Sequence, residues 1–114
     1  MNTRAVASTL AIVAVLASAP AAAADTATVR GKGRVWRPAK VRIDRGDRVR
    51  WRAVSGTHTV RAWGGNWSFS DRLRPGESTA RRFRSRGTFR FFCSIHGSVA
   101  GGVCSGMCGR VRVR

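Results

Sequence analysis

Acidic residues are scarce in this chain. Its 114 residues include five Asp and Glu against 22 Lys and Arg, a formal net charge of +17. Asp44 and Asp47 flank a turn and no paired carboxylates lie near a histidine, so no hydrolytic constellation stands out. Histidine is as sparse, with His58 and His96 alone, and cysteine is limited to Cys93, Cys104 and Cys108. Sustained helical periodicity is missing after Ala24, which excludes a helical bundle. There is no internal repeat, no low-complexity tract and no second long apolar run that could span a membrane.

The one apolar run is N-terminal. Met1-Asn-Thr-Arg4 is a short positive segment, Ala5 to Leu16 is mostly Ala, Val, Leu and Ile, and Ala22-Ala23-Ala24 offers small residues before Asp25. This is the pattern of a secretory signal peptide over residues 1–24. The stretch is short and interrupted by Ser8 and Thr9, so it suits a membrane anchor poorly. The lone Arg4 points to the general export route, and no cysteine marks a lipoprotein cleavage point. The expected product, residues 25–114, is a single domain that is secreted, periplasmic or held at the cell surface. A chain of that size buries somewhat over 60% of its unfolded surface, enough for one modest core.

What remains is dominated by period-two alternation. Arg42, Arg48, Arg50, Arg52, Arg82, Arg84, Arg90, Arg110, Arg112 and Arg114 alternate with Val41, Ile43, Val49, Trp51, Phe83, Phe89, Phe91, Val111 and Val113. Arginine therefore fills the outward face of strands rather than a tail or one helix. Candidate strands are Thr28–Trp36, Lys40–Arg45, Arg48–Ala53, Thr57–Trp63, Trp67–Ser70, Ser78–Arg84, Gly87–Cys93 and Gly109–Arg114, separated by Gly and Pro turns. Seven or eight short strands at this spacing predict an all-β fold, a Greek-key antiparallel β-sandwich. Trp36, Trp51, Trp63 and Trp67 are expected at its core and lips.

The chemistry gathers at one end of such a sandwich. Phe89, Phe91 and Cys93 share the inward face of a strand, His96 lies just beyond it, and Met107 precedes the final strand. His58 opens an interior strand able to pass beside them. One thiol, two imidazoles and one thioether form the ligand set of a blue-copper electron-transfer site, with methionine as the weak axial ligand. Zinc rarely takes methionine, so copper is preferred.

The arrangement resembles the cupredoxins, in particular the plastocyanin/amicyanin-like secreted blue-copper proteins. The likeness covers nearly all of residues 25–114. It is carried by Trp36-Arg-Pro38, Val41-Arg-Ile43, Gly46-Asp47-Arg-Val49-Arg-Trp51, Thr57-His58-Thr-Val60, Leu73-Arg-Pro75-Gly76 and Gly87-Thr-Phe89-Arg-Phe91-Phe-Cys93-Ser-Ile-His96. The resemblance implies one copper ion held by His58, Cys93, His96 and Met107, and one-electron carriage rather than enzymatic turnover. It also implies a redox partner protein, acidic if the arginines steer docking. Nucleic acid is not expected, a monomer is, and no transmembrane segment follows the signal, although peripheral association with a membrane fits the charge. Two other readings stand beside this one: a copper module for storage or delivery that uses the same ligands, and a cationic secreted β-domain that binds polyanions without them.

Two departures from the family stand out. Ten residues separate His96 from Met107 where a few are usual. The family also commonly carries an asparagine shortly before the first histidine that braces the ligand cysteine, and Trp51-Arg52-Ala53-Val54 has no amide. Of three cysteines in an exported protein, one stays unpaired. A Cys104–Cys108 disulfide would staple the lengthened segment and leave Cys93 to the metal, whereas Cys93 paired with Cys104 or Cys108 would give a copper-free domain.

Overall fold

The alternating segments form nine strands: β1 Thr26–Lys32, β2 Val35–Arg37, β3 Lys40–Ile43, β4 Arg48–Ser55, β5 His58–Trp63, β6 Ser70–Leu73, β7 Ser78–Arg82, β8 Gly87–Ala100 and β9 Val103–Val113. The computed structural model describes residues 24–114. The signal segment expected over residues 1–24 falls, but for Ala24, outside the described residues. The strands build two sheets, one of five in the order β3-β9-β8-β5-β6 and one of four in the order β2-β1-β4-β7.

Both sheets are mixed rather than purely antiparallel. β9 runs parallel to β3, and β1 runs parallel to β4. Alternation reports which face a residue occupies and says nothing about the direction of the neighbouring strand, so these parallel pairs had no signature in the sequence. The inward residues meet in one core, with Val29, Val49, Trp51, Val60, Phe91 and Val111 all fully buried. Trp51 alone removes about 150–250 Å² from water, roughly 4–6 kcal/mol at 25 cal/mol per Å².

Three boundaries differ from expectation for physical reasons. The run Thr28–Trp36 folds into the β1–β2 hairpin, turning at Gly33, whose φ of 62° suits glycine. The strand expected over Trp67–Ser70 begins only at Ser70. Trp67 and Phe69 leave the ladder to stack over Trp51, at 6.4 Å and 5.6 Å between centroids, and the Trp67 indole donates to the Arg90 carbonyl at 2.9 Å. Phe69 keeps one backbone bond to the neighbouring strand, accepting the Ala62 N–H at 2.8 Å, so the run is displaced from the ladder only in part. The last two strands are also far longer than Gly87–Cys93 and Gly109–Arg114. They continue as a hairpin that turns at Gly101-Gly102, with φ 59° and 75°. Two successive residues at positive φ make the primed turn that matches strand twist.

Candidate metal centre

Cys93 ends the inward row of β8, after Phe89 and Phe91, and is fully buried. His58 opens β5, opposite Leu73 of β6, and is equally buried. Its ring rests over Gly31 of β1. A Cβ there would stand 2.9 Å from both His58 Cδ2 and Trp36 Cζ3, so glycine is what leaves room for the imidazole. His58 Nε2–H donates to the Ser55 carbonyl at 2.7 Å. A carbonyl only accepts, so this bond fixes the tautomer and leaves Nδ1 with a free lone pair. That Nδ1 faces Cys93 Sγ at 3.8 Å.

His96 approaches from the other side, with Nδ1 3.7 Å from the same sulfur. The two imidazole centroids are 5.2 Å apart. One ligand atom from each of His58, Cys93 and His96 lies within 4.8 Å of the others, which is the geometry of a small cage for one cation. Burial, followed by the proximity of His58 and Arg34, pushes the His96 imidazole below its ordinary range.

No protein-family model and no curated protein matches the chain. Solved structures do. A Cu-containing nitrite reductase from Thermus scotoductus SA-01 aligns at TM-score 0.66 and 25% identity over 90% of this chain and 25% of that one. An amicyanin variant in its reduced state aligns at TM-score 0.64 and 18% identity, over 78% of this chain and 82% of that one. A purple cupredoxin from Nitrosopumilus maritimus aligns at TM-score 0.60 and 21% identity, over 77% and 99% respectively. The chain has the cupredoxin fold. It spans about a quarter of the nitrite reductase's length and nearly the whole of the purple cupredoxin.

Within this cupredoxin fold the segment from Cys93 to Met107 is not the open loop expected. Phe92 pairs with Cys108, and the next pair is Gly97 with Gly106. Four residues of β8, Cys93 to His96, thus face Met107 alone on β9, a wide bulge that interrupts the ladder at Cys93, His96 and Met107. The ten intervening residues fold back on themselves as the hairpin tip, so His96 and Met107 end up beside the same pair. Met107 is 1% exposed. The approach is close: a Cβ on Gly97 would meet Met107 N and Ser105 O at 2.8 Å and Cys93 O at 3.2 Å. Cys104 and Cys108 form a disulfide within β9 that brackets Met107, and Cys93 is the free thiol.

The brace sought before His58 sits after it. Thr59 N–H donates to Cys93 Sγ at 3.4 Å, and Thr59 Oγ1 accepts the Ser94 N–H at 2.7 Å and lies 2.9 Å from Ser94 Oγ. A hydroxyl does here what an amide was expected to do, tying the cysteine's neighbour to the histidine's strand. Thr59, Ser55 and Gly31 escaped the sequence reading, since each acts only through a partner brought to it by folding.

Proposed function

We propose that the protein is an exported type 1 copper protein that carries single electrons, with one copper ion held by His58 Nδ1, Cys93 Sγ and His96 Nδ1 and by the Met107 thioether as weak axial ligand. The observation that carries this reading is the convergence of a buried free thiol with two imidazole nitrogens inside 4.8 Å, one of them fixed as an acceptor by the Ser55 carbonyl. When bound, copper supplies the Cu(II)/Cu(I) couple. The protein's part is to hold the donors still. His58 is locked by Ser55 and Gly31, and Cys93 by Thr59. The disulfide stiffens the return strand at Met107.

Electron carriage rather than turnover is supported by closure. His58, Cys93 and Met107 are at most 1% exposed, so only the part-exposed edge of His96 meets solvent. Electrons enter or leave there, beside Gly97, Ser98, Val99 and Ala100, with Ile95 at 46% and Val103 at 62% exposure as apolar neighbours. The arginines steer an acidic redox partner. Among the described residues a single ion pair forms, Arg114–Asp44 at 3.4 Å, so most of the arginines are free to attract a partner. Export with cleavage before Asp25 is supported by the fold's start, where Asp25 N donates to Asp47 Oδ1 at 3.1 Å. Cleavage would turn that amide into an ammonium beside a carboxylate.

Addition of Cu(II) to residues 25–114 tests the reading through the intense visible thiolate-to-copper band. A folded protein with Cys93 free and no such band defeats it. Met107→Leu shifts the band and the potential if the thioether is axial, and leaves both unchanged if it is not.

A further inference from the structure

The aromatic side chains of the core form one chain of contacts from the ligand His58 to the far surface. His58 lies 5.6 Å from Trp36, Trp36 5.7 Å from Phe91, Phe91 5.3 Å from Trp51, and Trp51 6.4 Å from Trp67, all between ring centroids. Phe91 stands edge-on to both indoles, at 71° and 78°, and Trp51 and Trp67 are stacked at 24°. Trp67 is half-buried and lines a surface groove with Arg61, Phe69 and Phe92.

Two further observations concern charge on this chain. Trp36 and Trp51 each bury an indole N–H with no hydrogen-bond partner, an expensive arrangement that calls for a reason. An indole that loses one electron becomes a radical cation and normally sheds its N–H proton to an acceptor. With no acceptor in reach, Trp36 and Trp51 keep the proton, and the electron loss stays reversible. At the entrance, the Arg81 guanidinium stands 5.6 Å from the Trp67 centroid. A positive charge on that ring is repelled by the guanidinium, which disfavours an electron vacancy resting on Trp67.

We propose that Trp67, Trp51 and Trp36 form a relay, bridged by Phe91, that drains strong one-electron oxidants at the groove into the metal centre. The proposal rests on the copper reading above. An oxidant of the ruthenium(III) polypyridyl class removes one electron from Trp67. Trp51 refills Trp67 and Trp36 refills Trp51; with copper held by the site, the electron that refills Trp36 would come from the Cu(II)/Cu(I) couple. One electron is transferred overall and no proton moves. The step is downhill because an indole radical cation is a far stronger oxidant than thiolate-bound Cu(II). The gain is that oxidative attack in an exterior compartment ends on a renewable metal instead of on a tryptophan.

A ruthenium polypyridyl photosensitiser tethered at Ser68→Cys, on the exposed lip of the groove, tests this with an added electron quencher. In metal-free protein a flash should leave a long-lived radical with the spectrum of the protonated cation. Trp51→Phe should instead confine the vacancy to Trp67, whose indole N–H donates to the Arg90 carbonyl, and so change the radical's spectrum and shorten its lifetime. In Cu(I)-loaded protein the flash should raise the thiolate-to-copper band, and Trp51→Phe or the half-buried Trp67→Phe should abolish that rise while chemical oxidation still produces the band. Radical spectra and flash-induced band that ignore both substitutions overturn the relay. Failure to form any band with Cu(II) would instead sink the copper reading, with the metal-free arm still deciding whether the relay exists.

Discussion

Replacing Thr59 by valine isolates the brace. The two side chains have the same shape, so Thr59→Val removes one hydroxyl without opening a cavity. Thr59 is 6% exposed, and its Oγ1 is the acceptor for Ser94 N–H at 2.7 Å. Stranding a buried donor costs about 1–3 kcal/mol. Ser94 is itself an exposed residue, so water regains part of this bond, and a loss of about 1–2 kcal/mol is the expected outcome. For a domain of this size each kcal/mol moves the melting midpoint by about 4–8 °C, so the metal-free variant should melt about 5–15 °C lower. Hydrogen exchange gives the local readout. The amide at position 94 should lose protection in Thr59→Val and keep it in Ser94→Ala, which removes only the contact at 2.9 Å. Thr59→Val melting with the wild type, its position-94 amide still protected, refutes the brace.

Other perturbations follow from the same geometry. Cys104→Ser with Cys108→Ser opens a five-residue loop and should cost about 2 kcal/mol by chain entropy, measured by urea unfolding, with faster exchange at Met107 than anywhere in the four-stranded sheet. Gly31→Ala places a Cβ 2.9 Å from His58 Cδ2, and should displace the ring and weaken or shift the copper band. The depressed His96 pKa sets a pH dependence in metal-free protein. The unfolded chain binds this proton at higher pH than the fold does, so stability is complete above the ordinary imidazole value and falls as pH drops through the folded pKa. His96→Gln should flatten that slope in melting experiments, and an unchanged slope would show that His96 is not its source.

How much of this was legible in the sequence depends on the range of the interaction. The inward row Phe89, Phe91, Cys93 was readable because alternation is a local property of the pleat, and all three residues are buried. The disulfide was favoured by the short spacing of Cys104 and Cys108, with pairings to Cys93 left open. The Thr59 brace was not readable, since its partner lies 35 residues away and a threonine in a strand carries no mark of what it bonds. The direction of β3 against β9 was hidden for the same reason.

The lengthened segment is the instructive case. Ten residues between His96 and Met107, rich in glycine, read as a loop that puts the fourth ligand in doubt. A loop's end-to-end distance grows with its length, but a hairpin's does not, because every residue added on one strand is matched on the other. The Gly97–Gly106 pair closes the excursion at its base, and the Gly101-Gly102 turn closes it at its tip. Insertions made in matched pairs between those two points therefore leave His96 beside Met107. An unpaired single insertion within either strand would slip the register and turn Met107 away from the core, unless a bulge or a longer turn absorbed it. The length of this segment can thus vary in steps of two without disturbing the site, which separates whatever the hairpin tip contacts from the chemistry at its base.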